Sequence, residues 1–421
     1  MPTAQKAQKP KPSADVLSES ADQPLAQAPS QPQNSAPAAL PPGDLAAARQ
    51  LDRDVIEQFL RRGLSETPDL NSFWAYFVAS FNRDLRRVPD DEPNLTAKSL
   101  LAAYFIAVLL QNFFQGMPDH FFWQPGKLRQ MVFRIAQDYG VQLLPAHFYC
   151  PVPETRKLPR DIYSVASQLP GVRMNTEKQV ALLALLASRY RSEYESIPDT
   201  KPAGSPPHTY YKSNGFYSDI DAYVLYSIVR QYRPRKIIEI GSGNTTYLSA
   251  QAIARNQADD RSYACDLIAI EPYPNPVLQA GFPGLTRLIA RPVQQVPLSE
   301  FQTLQENDIL FIDSSHVLKI GSDVQYEFLE IIPRLHKGVL VHFHDIFLPR
   351  EYPRDWVEDM NRYFTEQYLL QSFLAFNDSF EVLLAAPWLH VHRPDAMRAA
   401  FRSYDPNQTW TPSNFWMQRT R

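Results

Sequence analysis

The C-terminal half of the chain predicts an α/β fold built on a doubly wound sheet, on three observations. Short β-rich runs at Lys236–Ile240, Leu267–Ile270, Thr286–Ala290, Asp308–Ile312 and Gly338–His342 alternate with helix-like segments at Thr245–Arg255, Pro274–Ala280, Leu298–Leu304 and Asp323–Leu335. Alternation at this spacing means βαβ units, hence parallel strands joined by right-handed crossovers. The first run ends in a glycine turn that opens a helix. Two last runs, Phe380–Ala385 and Asn414–Gln418, separated by a long irregular stretch, bring the expected sheet to seven strands. An amphipathic helix, Asp219–Tyr232, stopped by Pro234, leads into the first strand.

The whole chain sets the bounds. Its 421 residues suffice for two or three domains, and 44% hydrophobic content excludes a wholly disordered or fibrous protein. Lys and Arg number 42 against 45 Asp and Glu, a net charge of −3, so no global field exists for wrapping nucleic acid or lying on an anionic membrane. Cys150 and Cys265 are the two cysteines, and neither sits in a C-x-x-C spacing. That excludes a disulfide framework or a thiolate zinc site within one chain, and both read as reduced core residues. The first 30 residues hold no apolar run of the kind a secretory signal needs. The longest apolar stretch, Leu100–Leu110, falls short of the roughly 20 residues that span a bilayer and reads as a buried helix. A cytoplasmic location is the expectation.

Four regions follow. Residues 1–43 are rich in Pro, Ala, Gln and Ser without aromatic residues, and predict a disordered tail. Residues 44–140 carry helical periodicity ending at Gly140, and predict a helical region, a surface for homo-oligomer contact, cover or docking. Residues 141–215 are a proline-punctuated connecting or lid segment with one helix, Thr176–Glu195, and residues 216–421 form the α/β domain. No internal repeat is present.

The strongest local signal is K-I-I-E-I-G-S-G-N-T-T, Lys236–Thr246. Gly241 permits a tight turn, and Gly243 lets the backbone approach a ligand outside the carboxyl ends of the strands. A dinucleotide requires a third glycine where this chain has Thr246, and Glu239 would repel a pyrophosphate. A cofactor bearing a cationic amino-acid group suits Glu239 better. Glu271 follows the second strand directly, 28 residues past Gly243, where a carboxylate can take both hydroxyls of a ribose.

E-I-G-S-G-N-T-T resembles motif I of class I S-adenosylmethionine-dependent methyltransferases, whose Rossmann-like sheet the order of elements from Asp219 to Arg419 fits. I-D-S-S-H-V-L-K-I-G-S-D (Ile312–Asp323) and G-V-L-V-H-F-H-D-I-F (Gly338–Phe347) are similar to a bacterial small-molecule methyltransferase group with D-x-x-H after strand four and H-D after strand five. H-F-Y-C-P-V-P (His147–Pro153) is similar to a segment ahead of the catalytic domain in some members. The resemblance implies a cofactor-binding set of Glu239, Gly241, Ser242, Gly243, Thr246, Glu271 and Asp313, with Glu239 and the glycines at the amino-acid part and Glu271 at the ribose. It implies a catalytic cluster of Asp313, His316, His344 and Asp345, which orients the acceptor and removes its proton. Metal-dependent relatives have a carboxylate where this chain has His344. A metal set of Asp313, His344 and Asp345 would therefore favour an ion that accepts nitrogen, and catalysis without metal stays open. His342, two residues before His344, reads as an interior histidine.

The expectation is thus an enzyme that transfers a methyl group to a small molecule, at a hydroxyl by the resemblance. An iron-dependent hydroxylase holding iron through His316, His344 and Asp345, and a scaffold without catalysis, are the alternatives. A nucleic-acid methyltransferase is disfavoured because no basic stripe or base-acceptor motif is present. Tyr210–Tyr217 and Phe347–Trp356, both rich in aromatics, are expected over the site.

Overall fold

The computed structural model describes residues 148–217, 219–407 and 412–421, with Phe133, Arg134, Gln137, Gly140, Gln142 and Leu144. The expected tail, nearly all of the expected helical region and His147 lie outside the described residues. The chain divides into two compact units, 1–143 and 144–421, and the second is described here.

In chain order this unit contains α1 (Thr176–Tyr194), α2 (Asp219–Tyr232), β1 (Lys236–Ile240), α3 (Asn244–Asp259), β2 (Asp266–Ile270), α4 (Pro276–Ala280), β3 (Arg287–Ile289) and α5 (Leu298–Phe301). There follow β4 (Ile309–Ile312), α6 (Asp323–Tyr326), β5 (Leu340–Phe343), α7 (Arg354–Glu358), α8 (Glu366–Leu374), β6 (Phe380–Ala385), α9 (Ala386–His392), α10 (Pro394–Ala400) and β7 (Phe415–Arg419). The strands form one seven-stranded sheet in the order β3-β2-β1-β4-β5-β7-β6. Its first five strands are parallel, and β7 runs antiparallel to both β5 and β6.

Burial on both faces explains why the strands read as continuous apolar runs rather than as an alternating pattern. Ile237, Leu267, Ile309, Phe311 and Leu340 face one core with residues of α1, α2 and α3. Ile238, Ile240, Ile268, Leu310, Ile312, Val341 and Phe343 face the other, with Phe328, Leu370 and Leu374. Two polar residues interrupt the first face, Glu239 on β1 and His342 on β5, both fully buried.

Three expectations change. The helix expected over Asp323–Leu335 is α-helical only to Tyr326, then widens into a π turn at Glu327–Ile331 and tightens to a 3-10 turn at Ile332–Arg334. Pro333, which offers no N–H, ends regular helix there. The stretch between β6 and β7 is not irregular throughout but holds α9 and α10. Pro387 and Pro394 interrupt the apolar pattern, yet each occupies a first helical turn, where proline is tolerated. Neither cysteine is fully buried; both are free thiols of intermediate exposure. Among the described residues no helix is long and apolar enough to cross a membrane.

The parallel ladder continues past the strand ends. Gly241 N–H donates to Ile270 O at 3.0 Å, Asp313 N–H to Ile240 O at 2.9 Å and His344 N–H to Ile312 O at 3.1 Å. At this junction Gly241 has φ +81°, and a Cβ there would lie 1.7 Å from the Asp313 carbonyl oxygen. Only glycine fits. Gly241→Ala is expected to destabilise the protein by about 3 kcal/mol or more, from left-handed strain plus overlap with backbone. A lowered urea midpoint checks this, and an unchanged midpoint contradicts it.

Candidate active site

The glycine turn begins with a buried acid. Glu239 Oε1 accepts the hydroxyls of Thr245 and, at 3.0 Å, Thr246, whose own oxygen accepts from Gly243 N–H at 3.0 Å. Thr246 is itself buried and fastens the turn. Glu239 Oε2 is buried and has no hydrogen-bond partner among the described residues. Burial pushes this carboxyl up to about 8, against the hydrogen bonds of the two threonines. An orphaned carboxylate oxygen of this kind suits a cationic group brought by a ligand. Gly243 presents open space where a Cβ would stand. Across the turn, Glu271 accepts from Tyr273 N–H at 2.8 Å and from the Ser242 backbone. Burial raises its pKa.

The ends of β4 and β5 bring the expected catalytic residues together. His316 Nδ1 pairs with Glu366 Oε2 at 2.8 Å, and its Nε2 stands 3.3 Å from Asp313 Oδ1 and 3.5 Å from Asp345 Oδ2. His344 Nδ1 lies 3.2 Å from Asp313 Oδ1 and 3.5 Å from Asp345 Oδ1, while its Nε2 faces Asp221 Oδ2 at 3.8 Å. Burial opposes charge on Asp313, but His344 beside it and the hydrogen bonds of both histidines hold it well below the usual carboxylate range. Burial equally opposes charge on His316 and His344, and the surrounding carboxylates overcome it, raising both. His342 is the reverse case. Stacked on Phe311 at 4.1 Å, it is held well below its ordinary range by burial and by His344.

Backbone conformation decides which donors converge. His316 and Asp345 both adopt left-handed φ, +59° and +54°. Strain of this kind persists where surrounding structure over-determines it, and here His316 O accepts from Thr365 and Glu366 N–H. The carboxylate and imidazole donors that gather within 4.8 Å of one another are those of Asp313, His316 and Asp345. This grouping differs from the expected Asp313, His344 and Asp345. His344 meets the same two carboxylates through Nδ1 while its second nitrogen faces Asp221, and the left-handed turn at His316 brings a second imidazole to them.

Sequence reasoning missed Asp221 and Glu366. Asp221 reads as an ordinary first-turn acid of α2, yet it is buried and accepts from the backbone N–H groups of Ser413 and Asn414 at 3.1 and 3.2 Å. Glu366 reads as a first-turn acid of α8, and only the fold sets it against His316 across 50 residues.

Asp313, His316, His344 and Asp345 line one end of a cavity of about 800 Å³. Both aromatic segments contribute walls, through Gly215 and Phe216 on one side and Phe347–Trp356 on the other. Buried Gln367 pins the second wall: it accepts from Phe347 N–H at 3.1 Å and donates to Arg350 O at 3.3 Å.

Residues 238–346 match a family model described as a methyltransferase domain. A protein of Archaeoglobus fulgidus described as uncharacterized is 34% identical over 182 residues, which cover 42% of this chain and 79% of that protein. The chain belongs to the same family as this archaeal protein, and its sheet carries a methyltransferase domain. Among solved structures it is similar to an O-methyltransferase from Bacillus cereus in complex with SAH, at 11% identity over 58% of this chain and 91% of that one, with a TM-score of 0.30. It is also similar to the MycE methyltransferase of the mycinamycin biosynthetic pathway in complex with Mg, SAH and mycinamycin VI, at 12% identity over 57% and 53% of the two chains, with a TM-score of 0.28.

Glu239 gives this site a measurable pH dependence. Its folded pKa, near 8, lies above the ordinary value of 4.5, so the native state holds a proton that the unfolded chain releases. The ligand-free fold therefore loses stability as pH rises between these values, on the order of 2 kcal/mol from pH 6 to pH 9. Glu239→Gln is expected to remove that part of the slope in urea unfolding. Parallel slopes for the two proteins would contradict the assignment.

Proposed function

We propose that the protein transfers the methyl group of S-adenosylmethionine to a hydroxyl of a small molecule. The observation that carries this reading is the partnerless Glu239 Oε2 beneath the glycine turn, one strand away from the carboxylate–imidazole cluster. Glu239 supplies the negative charge for the donor's amino group, Gly241, Ser242 and Gly243 the backbone that surrounds it, and Glu271 the ribose contact. Thr246 acts through Glu239 and Gly243, which it fastens. Asp313 joins the two halves: its backbone continues the β1 ladder while its carboxylate belongs to the cavity.

In the reaction the acceptor oxygen bonds to the methyl carbon as the sulfur–methyl bond breaks, and that bonding pair neutralises the sulfonium. The hydroxyl proton goes to Asp345, which lines that end of the cavity, and on to solvent. His344, held between Asp221, Asp313 and Asp345, fixes those carboxylates in place. Orientation of the two reactants supplies the larger part of the acceleration.

The donor set Asp313, His316 and Asp345 fits a divalent cation. His316 turns its Nδ1 to a buried carboxylate while Nε2 faces the other two donors, the arrangement that orients a metal-ligating histidine. A cation held by Asp313, His316 and Asp345 would supply Lewis-acid chemistry, lowering the pKa of the acceptor hydroxyl. With one imidazole and two carboxylates the set is richer in oxygen than the two-histidine, one-carboxylate iron site of a hydroxylase, which favours methyl transfer over that alternative.

Two measurements test the reading. Calorimetry is expected to show S-adenosylhomocysteine binding one per chain, weakened about tenfold or more in Glu271→Ala by loss of charge-assisted hydrogen bonds. Absence of binding to the wild-type chain overturns the assignment. Mn²⁺ binding followed by electron paramagnetic resonance is expected for the wild type and lost in Asp313→Asn and Asp345→Asn, with S-adenosylhomocysteine affinity retained in Asp345→Asn. Equal Mn²⁺ binding by all three proteins removes the metal from the proposal.

A further inference from the structure

Beyond the reacting end, the cavity carries cations. Arg350 and Arg362 line it, and neither meets a carboxylate within ion-pair distance among the described residues, whereas Arg354 beside them is paired with Glu358 at 3.0 Å. Arg350 Nε is buried with no hydrogen-bond partner among the described residues. Its guanidinium also bears on His390, another lining residue, which burial and then Arg350 hold below the ordinary histidine range. A buried guanidinium donor with no acceptor is costly unless a ligand completes it.

The lining acids do not serve these arginines. Glu351 takes the Tyr368 hydroxyl, the Tyr352 N–H at 2.9 Å and Gln367 at 3.2 Å, and Asp355 is exposed. Asp221, Asp313 and Asp345 are engaged with the histidines at the far end.

An aromatic path connects the two ends. Phe364 lies 4.8 Å from His316 between ring centroids and 5.8 Å from Trp356 in an edge-to-face contact. Trp356 in turn packs edge-on against Phe347 at 5.3 Å and carries the Arg362 guanidinium 4.9 Å from its ring centre. From the carboxylate–imidazole cluster to Arg362 the wall is therefore ring surface, the lining that suits a planar apolar body.

We propose that the acceptor is an anion: a hydroxylated ring carrying a carboxylate or phosphate-type group that Arg350 and Arg362 bind, with the hydroxyl delivered to Asp313, His316 and Asp345. The placement of the hydroxyl rests on the methyl-transfer reading, and the anionic group rests on the arginines. Guanidinium forks match both kinds of oxyanion and discriminate against neutral isosteres, whose binding would leave a buried donor unmet. Gln367, which holds Arg350 O and Phe347 N–H, keeps this subsite formed before a ligand arrives.

The test uses the full chain with saturating S-adenosylhomocysteine and Mg²⁺, and three probes alike in ring and hydroxyls: 3,4-dihydroxybenzoate, its amide and the corresponding phosphonate. Calorimetry is expected to show the acid or the phosphonate bound at least about tenfold more tightly than the amide, the tighter of the two naming the anion. Arg350→Gln and Arg362→Gln are each expected to shrink that preference severalfold without changing affinity for the amide or for S-adenosylhomocysteine, whose retained binding reports an intact fold. An amide bound as tightly as the anions, no binding of any probe, or a preference that survives both substitutions overturns the inference. If the wild type binds no S-adenosylhomocysteine yet keeps the anion preference without it, the methyl-transfer reading fails and the anion subsite stands.

Discussion

The continuation of the parallel ladder beyond β1, β4 and β5 is the constraint on which the site depends. Each strand hands the next one more hydrogen bond after regular pairing ends, from Gly241 to Ile270, from Asp313 to Ile240 and from His344 to Ile312. Those bonds fix the Cα positions of Gly241, Asp313 and His344 against one another to within the tolerance of backbone geometry. Gly241 is the point of closest approach, and the Asp313 carbonyl fills the space a side chain would need. The glycine thus sets the distance between the turn proposed to hold the donor and the Asp313 carboxylate that lines the cavity.

Upon that frame, buried charge does the positioning. His316 and His344 are each surrounded by carboxylates from several elements: Asp313 after β4, Asp345 after β5, Asp221 on α2 and Glu366 on α8. A buried ion left without a partner is far more costly than one that is paired, so removing one member strands the others. Such a network specifies side-chain geometry more sharply than apolar packing does. It also accounts for the left-handed backbone at His316 and Asp345, since the hydrogen bonds to His316 O and the ion pairs around both residues offset conformational strain.

The same division of labour extends along the cavity. At one end, carboxylates outnumber the imidazoles; at the other, Arg350 and Arg362 meet no carboxylate within ion-pair distance among the described residues. Between them lies an aromatic wall that carries no formal charge. An acceptor meeting both ends is constrained in length and in orientation before any reaction occurs, which is how binding energy away from the reacting atom serves catalysis.

The sequence by itself determined the sheet, its strand order and the placement of the candidate residues at the ends of β1, β4 and β5. Continuous apolar runs, glycine punctuation and βαβ spacing act locally, and a parallel sheet has few ways to satisfy them; β6 and α2 fall at their expected bounds. Tertiary structure alone decided which side chains complete the cluster. Asp221 and Glu366 carry no local signal, because an acid in a first helical turn is unremarkable until another strand or loop arrives beside it. Likewise, the gathering of His316 with Asp313 and Asp345 within 4.8 Å depends on a backbone turn that residue type does not encode. The π turn at Glu327 and the two proline-led helices after β6 belong to this class as well. Local sequence specifies period and punctuation, whereas charge pairing across the fold depends on which elements the packed core sets side by side.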